Sequence, residues 1–141
     1  IQWWLEWYTD TGSTAVTATV NVTYNDGSSG NLTGISLAAT RRASFMVPLN
    51  GSIPSADSGK YIRDVNTVTL SATTGSAGSF GVTATRYRAA LYKPVANARF
   101  TADWAGLGLP EIPNSSCLML IQIAGTTSTG TVRATGKITH G

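Results

Sequence analysis

The 141-residue chain has one cysteine, one histidine and few charges, and each scarcity excludes a class of function. A single cysteine cannot form an internal disulfide, and Cys and His do not cluster at the spacing of zinc ligands. The one histidine, His140, is the penultimate residue, which argues against catalysis by a positioned imidazole. No apolar run approaches the roughly 18 residues that a membrane helix needs. We therefore expect no metal, no cofactor and no membrane partner.

Charge is sparse and dispersed. Asp, Glu, Lys and Arg make up 12% of the chain, about half of the usual share of roughly 25%. The net charge of +3 comes from 10 Lys+Arg against 7 Asp+Glu, and Arg41-Arg42 is the only adjacent basic pair. Proteins that bind nucleic acid concentrate positive charge in a patch or stripe, so the pattern weighs against such a partner.

The carboxylates give little basis for acid–base catalysis. Glu6 and Asp10 are near enough in sequence to meet, but nothing else marks them as a hydrolytic pair. Asp26 and Asp57 lie among turn residues, and Asp103 has the position of a helix cap. We therefore expect no catalytic residues and no enzymatic activity.

The dominant pattern is alternation of apolar and polar residues with period two, which predicts β-strands with one buried face. It is clearest over residues 14–24, where small apolar residues and Tyr24 alternate with threonine and asparagine. Asn25 to Gly30 are turn residues, and the chain returns through Leu32, Ile35 and Leu37. This arrangement predicts a hairpin.

The rest of the chain predicts further short strands. Ser116 to Ala124 is apolar at both parities, so that strand needs cover on both faces, and Cys117 within it is expected to be buried and inert. Asp103 to Leu107 predicts one helical turn. Three other strands are expected over residues 42–47, which end at Pro48, over 65–73 and over 132–138. Two more are expected from their apolar residues, one with Phe80, Val82 and Ala84 and one near Val95 and Phe100.

Eight or nine short strands with at most one helical turn predict an all-β fold. We expect one domain over residues 1–141, built as an antiparallel β-sandwich. A jelly-roll-like arrangement of two four-stranded sheets is the first choice, and an immunoglobulin-like sandwich is the alternative.

The most unusual segment is the aromatic run from Gln2 to Tyr8. As a strand it places Trp3 and Trp7 on one face and Trp4 and Tyr8 on the other. Three interpretations remain open: core packing, contact with a neighbouring subunit, and a platform for stacking carbohydrate. The predicted interface residues are Trp3, Trp4, Trp7 and Tyr8, with Arg41 and Arg42 as weaker polar contributors.

The stretch from Val65 to Arg88 resembles a hairpin of small structural proteins from tailed bacteriophages. Asp103-Trp104-Ala105-Gly106-Leu107-Gly108-Leu109-Pro110 and Asn114-Ser115-Ser116-Cys117-Leu118 are similar to the same group. The likeness covers roughly the second half of the chain and consists of packing and turn motifs, so it carries over no catalytic residue.

The resemblance implies a virion component, most like a capsid decoration (cement) protein. Such a protein would be a homotrimer that binds the major capsid protein on the outside of the phage shell and stabilises it, after assembly in the cytoplasm of the bacterial host. A tail or fibre component is the alternative within that class. A carbohydrate-binding module for host attachment is the alternative from another class.

Overall fold

The computed structural model describes residues 1–76, 78–92, 95, 97–108, 111–123, 132, 133 and 135. Within them the fold is mostly β, with two antiparallel three-stranded sheets and almost no helix. One sheet has the order β4-β1-β6 and the other β3-β2-β5. The strands are β1 Gln2–Trp7, β2 Val16–Tyr24, β3 Ser29–Leu37, β4 Met46–Pro48, β5 Ile62–Leu70 and β6 Phe80–Thr85.

The helical elements are short. Two 3-10 turns, Asn50–Ser52 and Ser55–Asp57, connect β4 to β5, and the helix α1 spans Trp104–Leu107. The predicted helical turn is confirmed: Asp103 caps it, since its Oδ1 accepts from the backbone N–H of Gly106 at 2.7 Å. No helix in the described part of the chain is long and apolar enough to cross a membrane.

The β2–β3 hairpin confirms the clearest sequence pattern. Every second residue of β2 from Val16 to Tyr24 is buried, while the residues between them are exposed or half-buried. The chain turns at Gly27, whose φ of 85° lies in the left-handed region that glycine tolerates. β3 then buries Leu32, Ile35 and Leu37 on the same side.

The two sheets share one apolar core. Leu5 and Trp7 of β1 belong to the same buried cluster as the inner residues of β2 and β3. A hydrogen bond also joins the sheets, because the indole N–H of Trp3 in β1 donates to the carbonyl of Ile62 in β5 at 3.0 Å. Among the described residues, the buried cluster runs from Leu5 to Ile62, and the half-buried residues packed on it extend to Val82.

The predicted third strand is shorter than expected. Residues 42–45 are not extended, because Ser44 has a φ of 67° and the N–H of Phe45 turns back to the carbonyl of Arg42 at 3.2 Å. Only Met46–Pro48 pairs with β1, and this strand lies at the edge of its sheet. Proline is tolerated in an edge strand, because one side of the strand has no neighbour that needs an N–H donor.

The expectation of eight or nine strands is not met in the described part of the chain, which has six. No strand forms at Val95 or Phe100, or over residues 116–123, because these segments find no ladder partner there. Cys117 is consequently exposed rather than buried, which corrects that prediction. The predicted last strand, 132–138, falls largely outside the described residues.

Candidate interface

The inner face of β1 contributes to the core. Leu5 is fully buried and Trp7 is 2% exposed, with the Trp7 ring edge-on to Phe80 at 5.2 Å between centroids. Trp3 is half-buried and packs against the same cluster. Of the predicted interface residues, Trp7 therefore offers almost no area to a partner, and its buried indole N–H has no hydrogen-bond partner among the described residues.

The outer face of β1 is held to the neighbouring strand β6. The indole N–H of Trp4 donates to the hydroxyl of Thr85 at 2.8 Å, and the Thr83 hydroxyl donates to the Glu6 carboxylate. Tyr8 is 53% exposed, and its ring lies across Gly81, where an added Cβ would come within 2.8 Å of ring atoms. These contacts leave less of Trp4 and Tyr8 free for stacking on a sugar.

Arg41 and Arg42 lie in a loop that is fastened to the residues after β1. The N–H of Arg41 donates to the Thr11 hydroxyl at 2.8 Å, and its carbonyl accepts from the N–H of Thr11 at 2.8 Å. The N–H of Ala43 donates to Oδ1 of Asp10 at 2.9 Å. The structure thus brings the predicted arginines beside the chain that follows Trp7 and Tyr8.

A shallow cleft of about 340 Å³ opens at this loop, which we call the arginine cleft; it is lined by Asp10, Thr11, Thr40, Arg41 and Arg42. The guanidinium of Arg41 lies over the ring of Phe45, 4.4 Å from its centroid. The Nε of Arg41 is buried and finds no hydrogen-bond acceptor in the described residues.

Sequence reasoning missed how much apolar surface the chain exposes after β6. Tyr87 and Tyr92 are 72% and 78% exposed. The segment 116–123, which we call the apolar arm, has four large apolar side chains that are half or more exposed, Leu118, Met119, Leu120 and Ile123, while Ile121 is half-buried. Apolar residues at both parities predicted a strand covered on both faces, but no strand forms over the described residues 116–123.

Sequence reasoning also missed a polar cluster at the β2–β3 turn. Lys60 pairs with Asp26 at 3.1 Å and with Asp57 at 2.9 Å. The Ser28 hydroxyl and N–H, together with Lys60, hold the pKa of Asp26 at about 2, below its ordinary value of 3.8. The hydrogen bond to Asp57 is the main reason why the pKa of Lys60 is raised. This cluster fastens the turn to the segment before β5.

The described residues do not assemble a cluster of metal-ligating side chains. No group of three or more His, Cys, Asp and Glu side chains within them is arranged to hold a metal ion. Glu6 and Asp10 each accept a hydrogen bond from a different part of the chain, Thr83 for the first and Ala43 for the second. What the arrangement offers chemically is contact area and guanidinium donors.

Comparison with protein-family models finds no match for this chain, and comparisons with curated proteins and with solved structures likewise find none.

Proposed function

We propose that this chain is a non-enzymatic structural protein that associates with copies of itself through the apolar arm. The observation that carries this proposal is that the arm has exposed large apolar side chains, while the buried cluster of described residues contains none of its side chains. Leu120 is 67% and Ile123 is 82% exposed. Exposed large apolar side chains gathered in one segment are typical of an interaction site in a folded protein.

Open sheet edges are the natural place for the arm to dock. β3 and β6 each have one neighbour in the described sheets, and neither strand contains a charged residue. Such edges are unprotected against the addition of another strand. The arm is also uncharged over residues 116–123, so pairing it with β3 or β6 of a second copy would bury no charge.

Arm exchange of this kind would complete a jelly-roll-like β-sandwich from strands of neighbouring copies. A closed ring leaves no free arm, which favours a symmetric oligomer such as a trimer over an open chain. With the resemblance to phage decoration proteins, we place this oligomer on the capsid exterior of a virion, bound to the major capsid protein. A tail or fibre component remains the alternative location.

Light scattering at several concentrations tests the self-association. We expect a trimer for the wild-type chain and a shift toward monomer for Leu120→Asp. The dissociation constant of the oligomer should rise at least about tenfold, because the substitution places a charge in the interface. Thr101→Asp is the matched control, since Thr101 is exposed outside the arm, and it should remain trimeric. A wild-type chain that stays monomeric at high concentration would refute the proposal.

Cys117 allows the docking site to be located, since it is the only cysteine and is exposed. Wild-type chains are mixed with copies carrying Cys117→Ala together with either Thr83→Cys in β6 or Ser36→Cys in β3, and treated with a short bis-maleimide. A cross-link between a wild-type and a variant chain can then form only between copies. Cross-linking at neither edge, in a chain that is nevertheless trimeric, would reject arm exchange while leaving self-association intact.

Purification from infected cells separates the two locations within the virion. Co-purification with heads is the expected result for a decoration protein, whereas recovery with tails alone would favour the tail or fibre alternative.

A further inference from the structure

The arginine cleft has hydrogen-bond donors for which the described residues provide no acceptor. The Thr11 hydroxyl is engaged with the backbone of Arg41, and the Thr40 hydroxyl donates to the carbonyl of Ala39 at 2.8 Å. The guanidiniums of Arg41 and Arg42 form no ion pair within the described residues, although Asp10 lines the same cleft. The free hydrogen-bonding capacity of the cleft is therefore cationic.

The buried Nε–H of Arg41 has no acceptor among the described residues. A buried N–H without an acceptor destabilises the folded state by roughly 1–3 kcal/mol, so such groups are rare unless a ligand or water satisfies them. Phe45 holds the guanidinium plane from one side, at 4.4 Å. The planar group is thus oriented before any ligand arrives, as bidentate recognition requires.

The backbone of the loop is held in an uncommon conformation on both sides of the two arginines. Thr40 has a φ of 54° and Ser44 a φ of 67°, values in a region that residues other than glycine seldom adopt. The strain is maintained by bonds to the neighbouring segment, including Thr40 N–H to the Gly12 carbonyl at 2.9 Å and Ser44 N–H to the Trp7 carbonyl at 2.7 Å. Backbone strain of this kind is found most often at binding and active sites, where it holds the residues in the conformation that a ligand needs.

We propose that the arginine cleft binds a carboxylate, with Arg41 as the bidentate donor and Arg42 as a second cation. The charge of the cleft favours a monoanion, because two arginines and Asp10 sum to +1, which one carboxylate neutralises and a phosphate dianion would overcompensate. The carboxylate comes either from an acidic side chain of a protein partner or from a small free acid. This site does not depend on the apolar arm or on self-association.

Nuclear magnetic resonance of the arginine Nε–H groups in the full chain tests the proposal directly. We expect the Arg41 Nε–H signal to move downfield on titration with glutarate, or with an end-capped Gly/Ser peptide that carries one Asp. The same peptide with Asn in place of Asp should leave the signal unmoved. A response to the peptide but not to glutarate would identify a protein partner, and the reverse would identify a free acid.

Three variants give the expected directions. Arg41→Lys keeps the charge but removes the Nε–H, and should weaken carboxylate binding about tenfold. Asp10→Asn keeps an oxygen for the N–H of Ala43 while it removes the opposing charge, and should tighten binding severalfold. Arg63→Ala, on the exposed face of β5, should leave affinity unchanged.

Two results would overturn the proposal. One is an Arg41 Nε–H signal that does not move before the control signal of Arg63 does. The Arg63 signal marks the carboxylate concentration at which ionic strength alone has an effect. The other is tighter binding of inorganic phosphate than of glutarate, which would reject the commitment to a carboxylate. If Arg41→Lys fails to fold, the Asp10→Asn titration still decides, because equal or weaker binding by that variant contradicts the charge argument.

Discussion

Adjacent tryptophans in β1 have different partners because successive side chains of a strand point to opposite faces. The indole N–H of Trp3 donates to the carbonyl of Ile62 in the other sheet, whereas that of Trp4 donates to a threonine on the neighbouring strand, Thr85. The same chemical group therefore joins two sheets in one case and two strands in the other. Alternation predicted this division of faces, but neither acceptor could be read from sequence.

Replacing each tryptophan with phenylalanine separates the two roles. Trp3→Phe should lower the free energy of unfolding by about 1–3 kcal/mol, since the intersheet hydrogen bond is lost and the smaller ring packs less well. Trp4→Phe should cost about 0.5–1 kcal/mol, because water reaches the outer face and can replace the lost donor. Urea denaturation followed by circular dichroism measures both values, and a larger loss for Trp4→Phe would contradict the assignment of faces.

At the scale of elements, local patterns predicted the structure where neighbouring residues determine it. β2 and its turn follow from alternation and from Gly27, so the hairpin was predictable. Residues 42–45 were predicted as strand, but bonds to a segment more than 30 residues earlier, such as Ser44 N–H to the Trp7 carbonyl, hold them in a turn. The arginine cleft depends on the same distant contacts, which is why the Arg41-Arg42 pair could be noted but its setting could not.

The cluster at the β2–β3 turn should make the stability of the hairpin depend on pH. Because the pKa of Asp26 is held at about 2 in the folded chain, below its ordinary 3.8, its contribution is present above about pH 4 and is lost as pH falls toward 2. Asp26→Ala should therefore be less stable than wild type at pH 6, and the difference should shrink through that window. Thermal melts at several pH values measure it.

Asp64→Ala is the control for loss of an exposed carboxylate, since Asp64 forms no ion pair among the described residues. It should be less destabilising at pH 6 than Asp26→Ala. A gap between Asp26→Ala and wild type that widens toward pH 2 would show that the sign of the linkage is wrong.

At the scale of the whole molecule, the core and most of the exposed large apolar side chains among the described residues come from different parts of the chain. Residues before Arg86 supply the described core and the residues packed on it, whereas Tyr87, Tyr92 and the apolar arm are exposed. Composition and periodicity predicted a β fold correctly, because they report which residues prefer burial in strands. They could not predict whether the arm is covered by its own chain, since burial within a subunit and burial between subunits leave the same pattern in a sequence.

A chain that ends at Arg88 tests whether the core forms without the residues that carry the apolar arm. It keeps the six strands of the described residues and the buried cluster, so we expect cooperative unfolding, the near-ultraviolet circular dichroism of packed tryptophan, and a melting temperature within a few degrees of the full-length monomer. Because it lacks the apolar arm, it should remain monomeric by light scattering at concentrations where the full chain is a trimer.

A chain ending at Leu70 is the control: it loses β6 with Phe80 and Val82, which uncovers Trp7, and should not fold. If the chain ending at Arg88 also fails to unfold cooperatively, residues after β6 contribute to the core of their own subunit, and the arm is an internal strand.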